Sequence, residues 1–179
     1  MKEIKKLIRE IIPVILGILI ALVINNWNED RKDKKYLNQI FSSINKELEN
    51  SKTNIKESIP RQRLLLDSIE IYLTDETVTI FDIISKVDGV RFSTIKNNSW
   101  KAISNSKIEL IEFEKLSILS DIDEGKEELK LKSEKILDFC YDNFRETNQE
   151  KKEFLKVLIQ DLIWVEKRLQ LQIKELLKK

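Results

Sequence analysis

Residues 11–24, IIPVILGILIALVI, run for fourteen positions without one polar side chain. In a chain where 35% of residues are charged, such a run belongs in lipid, in a protein core, or in a leader that is removed. As a helix it spans about 21 Å, short of the ~30 Å hydrocarbon core of a bilayer. Ile4, Leu7 and Ile8 extend the apolar character backwards, so residues 4–27 reach the required length with Arg9 and Glu10 as interruptions. Both interruptions lie near one end, where long side chains reach headgroups. Trp27 closes the other end, at the depth an amphipathic ring prefers.

The sequence MKEIKKLIRE ahead of the run has the basic character of a leader. The sequence after it, VINNWNED, lacks a small-residue cleavage site. A soluble core helix would not need to be apolar on every face in a chain otherwise so amphipathic. The expectation is therefore an uncleaved transmembrane helix within residues 1–27, carrying a soluble helical domain over residues 28–179.

Pro13, Gly17, Ala21 and Asn25 recur every four residues and line one stripe of that helix. Gly17 and Ala21 form a small-xxx-small pair of the kind that lets helix backbones approach closely in lipid, and Asn25 adds a hydrogen-bonding group. The stripe predicts a helix–helix interface. Glu10 lies three residues before Pro13 and is a candidate ion-responsive group.

Three glycines and two prolines in 179 residues argue against a turn-rich β architecture. The expected fold is all-α, one transmembrane helix continuing into a helical bundle or coiled-coil-like domain. Removing the four bases and two acids that precede residue 11 leaves 28 bases against 29 acids. A domain so nearly neutral lacks the basic footprint of a nucleic-acid binder. The chain has no histidine and one cysteine, Cys140, which removes histidine-based zinc sites, triad nucleophiles and intramolecular disulfides.

Within 28–59, Ile40, Ile44 and Leu48 form a narrow seam suited to a bundle or coiled coil. Pro60 predicts an end or kink, with a second helix over 61–73. Thr74, Asp75, Glu76 and Thr77 offer a break and capping side chains before a short helix over 80–87, and Gly89 marks a turn. Residues 91–98 fit loop, strand and helix equally. Asn98 and Ser99 open a short helix through Ile103. An apolar face resumes over 108–121, Gly125 separates it from a helix over 126–146, and Cys140 is expected to be a small buried hydrophobe. The last helix, 149–177, carries a seam of Leu155, Leu158, Leu162, Val165, Leu169 and Leu176, broadened by Phe154 and Trp164.

No phosphate-cradling glycine loop, nucleophile elbow or paired cysteine motif is present. The acids at Glu109, Glu112 and Glu114, and at Asp121, Asp123 and Glu124, read as solvated helix faces. Asp121 to Gly125 lacks the alternating ligands and closing glutamate of a calcium loop. The expectation is a protein without catalytic activity, cofactor, metal or small-molecule substrate.

The run Gly17-Ile18-Leu19-Ile20-Ala21-Leu22, followed by Ile24-Asn25-Asn26-Trp27-Asn28-Glu29, resembles the signature of an uncharacterised bacterial single-pass membrane family with a GILIAL-x-INNWNE-like stretch near the N-terminus. Glu10 matches the acid that opens that family's apolar run, although Arg9 stands where the family more often has glycine. Trp100 to Ile111 is similar to a mid-domain segment of those proteins. The resemblance covers about twenty residues in its specific part. It implies membrane insertion and a role for Asn25, Asn26 and Trp27, and no reaction.

These features predict a bacterial inner-membrane protein that acts by protein–protein association, its partners the lipid bilayer and further copies of itself or another envelope protein. The alternative is a component of an oligomeric ion-conducting or ion-coupled complex, with Glu10 and Asn25 facing a shared axis. Lys2, Lys5, Lys6 and Arg9 on one side of the span balance Arg31, Lys32, Lys34 and Lys35 on the other. The N-terminal charges lie closer to the apolar run, which favours a cytoplasmic N-terminus and a periplasmic domain.

Overall fold

The computed structural model describes the backbone of residues 2–178 and the side chains of residues 11–178. Glu10, and the ion-responsive role expected of it, lie outside the described side chains. The chain separates into two compact units, Met1–Ser42 and Ser43–Lys179. Among the described residues there is no strand. The order is α1 (Lys2–Ile71), α2 (Ile80–Ser85), α3 (Asn98–Ser104), a single 3-10 turn (Ile108–Leu110), α4 (Phe113–Asn143) and α5 (Gln149–Leu176).

Two breaks read from sequence are absent. Helix α1 does not end at Pro60, and residues 61–71 are its continuation rather than a second helix. Pro60 and Lys56 both lie on the exposed side of α1. The Lys56 carbonyl that loses its amide partner there can be solvated, which lowers the cost of an interior proline. Nor does Gly125 separate two helices, because α4 passes through it. A β-carbon at Gly125 would lie 2.7 Å from Leu169 Cδ2 and 3.2 Å from Leu169 Cγ. The glycine is there for close approach of two helices, not for a turn.

Inside the second unit, α4 and α5 form an antiparallel hairpin. Its cross-contacts pair early α4 with late α5: Gly125 with Leu169, Glu128 with Arg168, Lys132 with Asp161, Phe139 with Phe154. Asn148 caps α5, its Oδ1 accepting from the Lys151 amide. The end of α1 runs antiparallel to α5, with Gln62 meeting Glu166, Glu70 meeting Lys156, and Lys152 reaching Tyr72 and Asp75.

Ile44, Leu48, Ile55, Leu65 and Ile69 of α1, Ile118, Leu119, Ile122, Leu129 and Ile136 of α4, and Leu155, Leu162, Val165 and Leu169 of α5 are buried. The α5 seam thus faces the interior as its spacing predicts. Trp164 does not broaden it, being 60% exposed, whereas Phe154 stands at its edge with its ring 5.2 Å from that of Phe139 on α4. Ile44 and Leu48 are covered by their own chain, so they are not free to form the intersubunit seam expected from their spacing.

Helix α2 begins at a capping box in which Thr79 Oγ1 accepts from the Asp82 amide and Asp82 accepts from the Thr79 amide. The cap is Thr79, not the 74–77 stretch, where Asp75 instead holds the Thr77 amide and hydroxyl in a local turn. Two further amides at the start of α2, Ile80 N and Phe81 N, donate to Glu146 and Phe144 carbonyls beyond α4, so each helix end satisfies the other. The turn at Asp88 and Gly89 takes φ of 59° and 94°, the left-handed region that suits glycine.

Candidate functional site

Two features of the molecule carry chemistry beyond packing. The first is the apolar stretch of α1 in the first unit. Every large apolar side chain from Ile11 to Ile24 is exposed, from 43% at Ile11 to 68% at Val23. Helix α1 is long and apolar enough to cross a membrane by length and composition, and none of its most apolar 18-residue window is buried within the chain. Pro13, Gly17, Ala21 and Asn25 are all exposed along it, and a β-carbon at Gly17 would meet nothing within 4 Å. The Asn25 amide donates to Glu29 Oε1 one turn on, at 3.3 Å. Trp27 is exposed, with the Arg31 guanidinium 6.0 Å from its ring centroid, a pairing that suits the boundary between apolar and polar surroundings.

The second feature is in the second unit and was not foreseen from sequence. Residues 90–97 adopt no regular structure, yet over 93–97 Ser93, Ile95 and Asn97 are buried while Thr94 and Lys96 are exposed. This is the period-two alternation of a strand. Its main chain is held by side chains instead of a neighbouring strand. Gln62 Nε2 donates to the Arg91 carbonyl, Asn54 Oδ1 accepts from Thr94 N, Ser51 Oγ accepts from Lys96 N, and Glu47 Oε2 accepts from Ser99 N. Glu47, Ser51, Asn54 and Gln62 recur at helical spacing, so one polar track on α1 grips the whole segment antiparallel to itself.

Glu166 closes this clamp from α5. It is fully buried, and its Oε1 accepts from Gln62 Nε2 at 2.9 Å and from the Ser93 amide at 3.2 Å. Burial pushes its carboxyl above the ordinary glutamate range, and hydrogen bonding from Ser93 and Gln62 opposes that rise. At the far end, the buried Asn97 donates to Asp123 and accepts from Lys126, both on α4. The clamp therefore ties α1, α4 and α5 to one extended segment.

Among the described residues one basic side chain is buried, and it stands at the end of α1. Lys152, wholly inaccessible, donates to the Tyr72 and Asp75 carbonyls at 2.9 and 2.7 Å. Helix α1 has no basic residue in its own last turn, so α5 supplies the positive charge that a helix C-terminus favours. Burial holds the Lys152 ammonium below the usual lysine range, against the pull of Asp75 and Glu76.

Cys140 is partly buried on α4, and burial pushes its thiol up to about 11. At about pH 8 it is expected to react with a thiol reagent roughly 100-fold more slowly than a free cysteine. Stopped-flow labelling before and after denaturation measures that ratio, and near-equal rates would contradict the assignment.

The class defined by these observations is an all-helical protein with one helix able to span a membrane. Compared with known proteins, the chain matches no family model, no curated protein and no solved structure. The clamp left one trace in the sequence, the regular recurrence of Glu47, Ser51, Asn54, Ser58 and Gln62 along one side of a predicted helix. Glu166 left another, an acid inside the leucine seam of α5.

Proposed function

We propose that this chain is a single-pass protein of the bacterial inner membrane, anchored by the apolar stretch of α1. Its helical unit stands on the periplasmic side, and it acts by association with further copies of itself or with another envelope protein. The observation that carries this reading is the complete exposure of residues 11–24. An apolar surface of that extent is stable in water only when something covers it, and a bilayer covers all faces of a helix at once. Trp27 and Arg31 mark the interfacial end. The likeness of Gly17 to Glu29 to a bacterial single-pass family signature points the same way. Pro13, Gly17, Ala21 and Asn25 form the contact stripe between copies, and the role is non-catalytic.

Two measurements test the proposal. Full-length protein with Gly17 and Ala21 both changed to leucine is expected to self-associate about tenfold less in lipid vesicles, read by energy transfer between labelled copies. Association equal to that of the unaltered chain removes the stripe from the account. Reporters fused after Lys179, one active only in the cytoplasm and one only in the periplasm, are expected to give the periplasmic signal alone. A soluble, unsedimented fusion would refute the anchor itself.

A further inference from the structure

We propose that Glu166 is a proton-binding site. In the folded protein its Oε2 carries a hydrogen that it shares with Ser93 Oγ or Gln62 Oε1, and the occupied site holds the 90–97 segment between α1 and α5. This inference is independent of membrane insertion.

A count of hydrogens leads to it. Gln62 Nε2 has two hydrogens, and both have acceptors, Glu166 Oε1 at 2.9 Å and the Arg91 carbonyl at 3.0 Å. That arrangement fixes Gln62 Oε1 as the amide oxygen. The Ser93 amide already donates to Glu166 Oε1. Three buried oxygens are then left without partners: Gln62 Oε1, Ser93 Oγ and Glu166 Oε2. If Glu166 is ionised, the Ser93 hydroxyl supplies the one hydrogen available to all three. If Glu166 is protonated there are two, and the cluster comes closer to satisfaction. The Ser93 amide, 3.2 Å from Glu166 Oε1, keeps the Ser93 hydroxyl in the same cluster.

The electrostatics favour the same occupancy. Gln62, Ser93 and Glu166 are 1%, 8% and 0% exposed. The bases carried by the packed elements point elsewhere: Arg61 and Arg63 on α1, Arg91 on the segment and Lys167 on α5 are exposed. On α4 and the flank of α5, Lys132 pairs with Asp161 and Arg168 with Glu128. A carboxylate with no cation beside it, on the same helix face as the fully buried Leu162, Val165 and Leu169, is costly. Burial accordingly places the folded carboxyl above the ordinary glutamate value. Because the folded state holds this proton more tightly than the unfolded chain, the stability it contributes is complete below the unfolded value. It is lost as pH rises through the raised folded value.

Infrared titration of the full-length protein in detergent micelles, with Glu166→Gln for comparison, tests the site. A protonated-carboxyl band is expected in the unaltered chain to persist above the pH at which ordinary glutamates ionise, and to be absent in the variant. Raising the pH should remove the band and, after correction for intrinsic rates, speed amide exchange at Ser93 more than tenfold. In Glu166→Gln the amide oxygen keeps both acceptor roles and its NH2 group donates to Ser93 Oγ and Gln62 Oε1, so exchange there should stay slow at every pH. A Glu166 that is ionised throughout, its Oε2 satisfied by a trapped water, would give no such band and would overturn the proposal. Faster exchange in a folded Glu166→Gln at roughly pH 6 would do the same. If that variant does not fold, the band in Glu10→Gln protein decides, because Glu166 is the one fully buried acid among the described residues and Glu10 is then removed.

Discussion

Replacing Lys152 with methionine is expected to destabilise the helical unit by about 2–4 kcal/mol. Methionine keeps an unbranched stem in the channel that Lys152 fills, so the loss comes from the ammonium rather than from a cavity. That ammonium, on a side chain wholly buried in the unit, reaches two main-chain carbonyls, Tyr72 and Asp75. Removing it leaves both without their charged donor at the C-terminus of α1, where the peptide dipoles sum to partial negative charge. Lys156, one turn further along α5, is the natural control. It pairs with Glu70 at the surface, and its change to methionine should cost less than about 1 kcal/mol because solvent screens the pair. Chemical denaturation of the two full-length variants measures the difference. Equal losses would mean that Lys152 is no more than a surface cation.

Changing Gly125 to leucine is expected to cost about 3 kcal/mol or more, enough to loosen the α4–α5 hairpin. The first atom added would stand 2.7 Å from Leu169 Cδ2, and Leu169 is fully buried with little room to move. Leucine gains about 1 kcal/mol of helix propensity over glycine, too little to offset the overlap. Gly17→Leu gives the contrast, since a β-carbon at Gly17 meets nothing of its own chain. That change should leave the denaturation midpoint of the helical unit where it was. A stable Gly125→Leu protein would show that the two helices slide apart at little cost.

The sequence announces helices through the three-and-four spacing of its apolar residues. Accordingly α2, α3 and α5 lie within a few residues of where the pattern puts them. Breaks were harder to read. Proline and glycine are local signals, and here tertiary surroundings decided their meaning: an exposed side of α1 tolerates Pro60, and the hairpin needs Gly125 small. Trp164 departs from the pattern because a large aromatic group suggests core when only its position on the helix decides which way it faces. The clamp was unreadable for a different reason. Its partners lie 26 to 104 residues apart, as Asp123 does from Asn97 and Glu166 from Gln62, and spacing along one helix says nothing of what crosses it. The apolar stretch of α1 is legible in the sequence because it is apolar on every face, unlike the one-sided helices of a core.

An extended stretch of chain is ordinarily a hazard, because its bare amides and carbonyls invite another strand to add on. The 90–97 segment carries no such invitation at the points where helical side chains hold it. Ser93, Thr94 and Lys96 have their amides engaged by Glu166, Asn54 and Ser51, and Arg91 has its carbonyl engaged by Gln62. An incoming strand would have to displace four side chains rooted in two helices before it could form its first pair of ladder bonds. A chain held in this way can therefore carry a strand-like segment without offering a seed for fibres.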